Sequence, residues 1–257
     1  MIVRARNICY IRQGNEILSG VDLAIREGEH WILLGPNGAG KSSLIKILSG
    51  YEWPTSGDIE VCGKRMGETS VADLREGLGL FEPVLQTEAA VHYPGMTAED
   101  VVVSGARNAI VLYEDGDPQA IGRARELLSA QGFDFARPFS VMSSGEQRRT
   151  LLLRALIRRP ELLILDEPYE SLDLRARVDL EKTLMAMVAA GGIATLCAIH
   201  RIEEIPPFAT HAVLLKQGGV FRAGTVETLI TSEILSALYE TPLEVSVLKG
   251  RFACFPV

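Results

Sequence analysis

Polar and apolar residues alternate along Val3–Tyr10 and again along Glu16–Ile25, a period of two that predicts a pair of β-strands. "REGEHWILLG" then carries a turn into a short, nearly continuous apolar strand ending at Gly35. From Gly40 to Ser49 the apolar positions Leu44, Ile45, Ile47 and Leu48 take helical spacing, and "SGYEWPTSG" breaks that helix. The middle, from about Gln86 to Pro160, reads as helical. "TAEDVVVSG" opens with Thr97 and Asp100 at capping-box spacing, and "QAIGRARELLSAQGF" and "GEQRRTLLLRALIRR" carry the helical period on. An apolar strand in "ELLILDEP", a helix through "RARVDLEKTLMAMVAAGG", a buried strand in "IATLCAIH" and a tail of short strands around one helix complete the chain. Strands that alternate with helices predict an α/β sheet, with the helical middle as an inserted lobe.

Composition narrows the class. The 257 residues suffice for one large domain or two modest ones, and 47% hydrophobic with 23% charged residues is ordinary for a globular chain. The apolar runs are too short to span a bilayer and the start has no apolar signal core, so a cytoplasmic location is expected. Cys9, Cys62, Cys197 and Cys254 are far apart, without CxxC spacing, and read as free thiols rather than a zinc site. A net charge of −7 argues against a chain whose main task is gripping nucleic acid, because that affinity comes from neutralising phosphates. Arg148, Arg149, Arg154, Arg158 and Arg159 crowd one segment and read as a solvated helix face, with a basic patch as the alternative.

The chemistry begins at "LLGPNGAGKSSLIKILSG". Gly35 to Ser42 fits GxxxxGK[ST] and lies between a predicted strand and a predicted helix, the context the motif needs. Bare backbone N–H groups and a helix N-terminus suit a polyphosphate, and glycine removes the Cβ atoms that would block its approach. Lys41 would place its charge on the β- and γ-phosphates and Ser42 an oxygen on Mg²⁺. The rival reading is a glycine-rich turn that caps a helix. "LLILDEP" supplies the second half of such a site: Asp166 at a strand end reaches toward the metal ion, and Glu167 is placed to polarise a water as general base. In "MSSGEQRR", Ser143 and Glu146 form a capping box, and the same helix tip suits a phosphate that could belong to another subunit.

In order and spacing, these segments resemble the ATP-binding cassette (ABC) superfamily across nearly the whole chain. "GPNGAGKSS" resembles its Walker A loop, "MSSGE" its LSGGQ signature, "LLILDEP" its Walker B strand, "ESLD" its D-loop, and His200 of "CAIHRIEE" its switch histidine. The resemblance implies a P-loop NTPase fold: a RecA-like mixed-sheet core with an N-terminal antiparallel β lobe and an inserted helical subdomain. One domain would fill residues 1–257, with residues 1–85 and 159–257 as core and 86–158 as the helical subdomain. It implies ATP and Mg²⁺, held in a head-to-tail homodimer between one copy's Walker A loop and the other's signature.

Carried over by position, nucleotide would be held by Asn37, Gly38, Ala39, Gly40, Lys41, Ser42 and Ser43. Ser143, Gly145 and Glu146 would act from the second copy, and Asp173 would link the two sites. Glu167, His200 and Lys41 would be catalytic, and Ser42 and Asp166 would hold the metal. By the residues alone, a histidine at a strand end is equally a satisfied polar group. Tyr10 takes the place of the adenine-stacking aromatic, with core packing as its rival. The signature departs from the pattern at Met142, Ser144 and Glu146. The usual glutamine position after "LGLF" falls on Glu82 or Pro83, and the first glutamine is Gln86. "LGLFEPVLQ", "YPGMTAEDVVVSG" and "HRIEEIPP" resemble the molybdate-transport and photorepair type, where that glutamine comes later, so Gln86 is expected as γ-phosphate and metal sensor.

The expected function is an ATPase that powers a separate permease, an importer of an oxyanion, metal chelate or other small solute, with Gln86–Gly105 in the coupling groove. The chain would then sit at the inner face of the membrane. The alternatives are a soluble ABC ATPase in DNA repair or regulation, and a P-loop kinase or GTPase, which the signature and D-loop disfavour.

Overall fold

The computed structural model describes residues 1–107 and 117–257. The chain opens with β1 (Val3–Arg12) and β2 (Asn15–Ile25), paired antiparallel through a tight turn in which Gln13 and Gly14 take positive φ. β3 (His30–Leu34) and α1 (Lys41–Leu48) follow. β4 (Ser56–Val61) and β5 (Lys64–Arg65) then complete an antiparallel sheet in the order β2-β1-β4-β5. After α2 (Val71–Leu74), β6 (Leu78–Phe81) joins a second sheet. Between β6 and β7 (Leu162–Asp166) lie α3 (Val84–Thr87), α4 (Ala98–Ser104), α5 (Pro118–Ala130) and α6 (Ser144–Leu156). Part of the expected helical middle, residues 108–116, lies outside the described residues. α7 (Leu174–Ala189), β8 (Ala194–Ala198), β9 (His211–Lys216) and β10 (Gly219–Thr225) complete the core. α8 (Val226–Leu229), α9 (Ser232–Tyr239) and a hairpin of β11 (Leu243–Leu248) and β12 (Arg251–Pro256) follow.

The second sheet has six strands in the order β10-β9-β3-β8-β7-β6, parallel except for β10. Its inner strands are buried along nearly their whole length, which is why they read as apolar runs rather than alternations. Ile32, Leu163, Leu165 and Leu214 face a cluster built with α4, α6 and α7, whereas Leu33, Leu162, Ile164 and Val213 face a cluster built with α1 and the antiparallel sheet. The parallel arrangement brings the C-terminal ends of β3, β7 and β8 to one edge, where the loops of an α/β sheet form sites.

Both predicted capping boxes form, at Thr97/Asp100 and at Ser143/Glu146. Two expectations change. The tail holds two helices, because α8 is a single four-residue turn that leaves no period in the sequence. The arginine cluster is a solvated face only in part: Arg159 is exposed and Arg149 and Arg158 half-exposed, but two members turn inward. Arg148 is buried and donates to Glu170 O at 3.2 Å, and Arg154 is half-buried and donates to Ser104 Oγ at 3.1 Å, because α6 is enclosed by α4 on one side and α7 on the other.

Phe139 is fully buried in the helical part of the core, and its carbonyl accepts from Gln147 Nε2. Phe139→Ala should lower unfolding stability by about 3–5 kcal/mol in urea titrations, the range for deleting a buried aromatic ring.

Candidate active site

β3 delivers the chain to a loop of bare backbone. A Cβ on Gly35 would come within 2.3 Å of Leu215 O, and one on Gly40, at φ 99°, within 2.5 Å of the Leu18 side chain. Those two glycines let the loop lie flat on the two sheets, while Asn37 and Gly38 stand exposed above it and Ala39 is buried below. α1 then begins at Lys41 with no side-chain cap and no acid in its first turn. The N–H groups of Lys41, Ser42 and Ser43 therefore point outward from a positive helix end, a cradle for an anion. The Lys41 side chain is buried and donates to Gly35 O at 2.8 Å and Pro36 O at 3.3 Å. Burial pushes its pKa down, against the pull of Glu167 and Asp166.

The acids stand at the end of β7. Asp166 Oδ1 is buried with no hydrogen-bond partner. Burial, then the charges of Glu167 and Glu82, raises the Asp166 carboxyl to about 6. A buried, orphaned carboxylate oxygen suits a hard cation that takes oxygen ligands, and the exposed Ser42 hydroxyl at the start of α1 is free to supply another. Among the described residues no group of three or more His, Cys, Asp or Glu side chains could hold a metal unaided, so such a cation would take further ligands from phosphate and water. Glu167 has a positive φ of 50°, and its N–H bonds Ala198 O on β8. Its carboxylate meets His200 Nε2 at 2.6 Å. His200 is in turn held through its backbone, since Glu204 accepts from the N–H groups of His200 and Arg201 at 3.2 Å each. A groove of about 890 Å³ joins these parts, lined by Gly35, Asn37, Glu167, Tyr169, His200 and Arg177 among others.

The signature segment opens on a second groove. Ser143 caps α6: Glu146 N donates to Ser143 Oγ at 3.3 Å, and Glu146 Oε2 accepts from Ser143 N at 2.8 Å. Burial pushes the Glu146 carboxyl up, but its bonds to Ser143 and Arg137 outweigh that and hold it below the usual range. Gly145 has a packing task, since a Cβ there would stand 2.6 Å from Ala176 Cβ at the start of α7. Asp173 caps that helix through Ala176 N at 2.7 Å. Ser143, Gly145 and Asp173 thus line one groove of about 470 Å³, which meets the first at Ser171 and Leu172.

Two expected site residues make other contacts in this structure. Gln86 is turned onto α6, where its amide donates to Gln147 Oε1 at 2.7 Å and Ser144 Oγ at 3.3 Å. The register of β6 and β7 sets Phe81 beside Leu165, so Glu82 and Asp166 leave the sheet side by side. Glu82 is pushed up by burial, against the pull of Arg154, Lys46 and Arg75. Tyr10 is half-buried on β1, packs on the core beneath the antiparallel sheet, and has its phenol raised by Glu52. Glu204 and Gln147 were not singled out from the sequence. The spacing of Arg201 and Glu204 in "HRIEE" was the one signal for the first, and the second has a tertiary role with no local signature.

A family model described as "ABC transporter" matches residues 18–170. An uncharacterized ABC transporter ATP-binding protein, YlmA, of Bacillus subtilis (strain 168) is 38% identical over 95% of this chain and 93% of its own. The chain belongs to the ABC transporter family. It is the ATP-binding subunit type of that family, an ABC ATPase. Hemin import ATP-binding protein HmuV of Streptomyces coelicolor is 34% identical over 90% of this chain and 81% of its own. The fold matches an inward-facing conformation of a putative metal-chelate type ABC transporter, with a TM-score of 0.79 at 22% identity over 100% of this chain and 97% of that one.

The cassette's acid edge sets a pH response. Asp166 holds its proton more tightly folded than unfolded, so the folded chain binds more protons between about pH 4 and pH 6 and loses stability as pH rises through that window. Asp166→Asn should therefore be more stable than the parent above about pH 6, by up to about 3 kcal/mol, with the gap closing toward pH 4. Urea titrations without metal or nucleotide at pH 4.5 and 7.5 measure it. A gap of the same size at both pH values would contradict the electrostatic account.

Proposed function

We propose that this chain is the ATP-hydrolysing subunit of an importer. In this reading the 257 residues form one cassette, with residues 1–85 and 159–257 as core and 86–158 as helical subdomain. It closes head-to-tail as a homodimer on two Mg-ATP and drives a separate permease for an oxyanion, metal chelate or other small solute. The observation that carries it is that the chain's two half-sites open on different grooves: Gly35, Asn37, Glu167 and His200 line one, with Lys41 bonded to Gly35 O, while Ser143 and Gly145 line another that touches it only at Ser171 and Leu172. A second copy would close both gaps.

Exposed apolar side chains support two contact faces. Val141 and Leu174 are 63% and 78% exposed beside the signature and the α7 cap, where a second copy would cover them. Val84, Val91 and Tyr93 are exposed along the coupling segment, where a permease would dock. No helix of the described residues is long and apolar enough to cross a membrane, so translocation needs another polypeptide. That reading puts the chain in the cytoplasm at the inner face of the membrane. The hemin importer among the relatives favours the metal-chelate option, and the molybdate-like segments favour an oxyanion. The net charge of −7 and the transporter names of the relatives weigh against the DNA-repair alternative.

In this assignment Asn37 to Ser43 hold the phosphates, Ser42 and Asp166 hold Mg²⁺, and Tyr10 packs near the base. Bound Mg²⁺ would neutralise charge developing on the phosphates. Glu167 takes the proton of the attacking water, and His200, now held on Glu167 at 2.6 Å, is the group that orients it. Glu82, beside Asp166 in the sheet, takes the position expected of Gln86, while Gln86 steadies the signature helix through Gln147 and Ser144.

Lys41→Ala should abolish tight ATP binding in a fluorescent-nucleotide titration, because the loop loses its fixed cation. Glu167→Gln should keep binding, lose hydrolysis by about 10²–10⁴-fold, and elute as a dimer in Mg-ATP but a monomer in ADP. Ser143→Arg added to it should restore the monomer. A Glu167→Gln variant that stays monomeric at high concentration in saturating Mg-ATP overturns the dimer reading. A parent ATPase rate stimulated by DNA, with no membrane protein recovered by pull-down, overturns the transport reading.

A further inference from the structure

A groove of about 560 Å³ lies on the far side of the chain from the phosphate loop, within the roughly 300–1,000 Å³ typical of small-ligand pockets. Arg159 and Pro160 lead into β7 and Gly192 and Ile193 lead into β8, so the groove sits at the N-terminal edge of the sheet, whereas the nucleotide groove sits at the C-terminal edge. Its walls come from both lobes: Leu127 on α5, Leu153 and Leu156 on α6, and Met187 on α7. A bond from Thr183 Oγ1 to Gln131 Oε1 at 3.0 Å ties α7 to the end of α5 beside it.

Two cations border these apolar walls, Arg123 half-buried and Arg159 exposed. Arg123 Nε is buried without a hydrogen-bond partner, and among the described residues neither Arg123 nor Arg159 forms a side-chain ion pair. Burial and then the charge of Arg159 weaken the Arg123 guanidinium's hold on its proton, with Glu126, exposed on the same helix, acting the other way. Arg159 also takes a left-handed φ of 54°, a conformation that glycine or asparagine adopts more cheaply. An arginine kept there points to a task for its side chain. A buried guanidinium nitrogen without a partner, next to a second like charge, is costly, and a carboxylate offsets that cost through charge-assisted bonds that fit the planar fork.

We propose that this groove binds a small amphipathic acid, its carboxylate between Arg123 and Arg159 and its apolar body along Leu127, Leu156 and Met187. The occupant would touch the helical lobe through α5 and the core through α7, and so bridge the two.

The test uses the full chain with ¹³C-methyl methionine and decanoate as the probe, kept below its micelle-forming concentration. The Met187 methyl signal should shift saturably with decanoate and at least about tenfold more weakly with decan-1-ol, which keeps the chain and lacks the charge. The Arg123→Gln/Arg159→Gln variant should weaken decanoate by at least about tenfold. Ala186→Trp, at an exposed position lining the groove, should block it by filling the space. Unchanged thermal melting certifies that each variant is folded. Equal affinity for decanoate and decan-1-ol, full decanoate binding by the double variant, or a response only with micelles or anionic vesicles would overturn the proposal.

Discussion

A buried ammonium must have negative charge close by, and the layout of this chain follows from that requirement at Lys41. The lysine lies under its own loop, bonded to the carbonyls of Gly35 and Pro36, with the carboxylates of Asp166 and Glu167 acting on it from β7. None of these contacts is a direct ion pair. Lys41 is desolvated and only partly compensated, and Asp166 Oδ1 is desolvated without a hydrogen bond. Like charges at Glu82 and Glu167 add to the strain on Asp166. A polyphosphate with a divalent cation would relieve both ends at once, anion to Lys41 and the helix tip, cation to Asp166. The sheet makes this arrangement unavoidable, because parallel strands β3, β7 and β8 all end at the same edge.

The same economy appears at the signature. Ser143 and Glu146 close a capping box, Gly145 permits the contact with Ala176, and Asp173 caps the helix that carries Ala176. Structural and functional readings therefore do not compete there. A helix tip offered to a phosphate has to be held still, and these bonds hold it. Ser144, the departure from the usual glycine, is exposed and accepts from Gln86, so its extra hydroxyl is engaged at the lobe's own surface.

Much of this was legible because the chemistry is local. The phosphate loop, the Asp166 strand end and both capping boxes are set by residues within a few positions of one another, and periodicity separates buried strands from amphipathic helices. What was not legible depends on distant partners. Gln86 and Glu82 are four residues apart, and only the pairing of β6 with β7 decides which one stands beside Asp166. Arg148 and Arg154 read as solvated because a helix wheel cannot reveal that α6 is wrapped by α4 and α7. α8 has too few residues to show a period, and Gly145 gives no sign in sequence that Ala176 lies 2.6 Å from where its Cβ would be.

One contact bears on why the cassette should not hydrolyse ATP alone. The proposed base, Glu167, already accepts from His200 at 2.6 Å, and His200 is anchored at its backbone by Glu204. Glu204 belongs to a short turn that the C-terminal hairpin also grips, because Cys254 N donates to Glu203 Oε1 at 3.1 Å and Arg251 pairs with Glu181 on α7. His200 is thus set by the core and by strands β11 and β12 together. For Glu167 to face a water, His200 must exchange its carboxylate for another acceptor, and a γ-phosphate entering the same groove is an acceptor of higher charge. In this view nucleotide does more than occupy the site. It releases the base from its resting partner, and the Ser143 hydroxyl of a second copy, arriving over that phosphate, would complete the exchange.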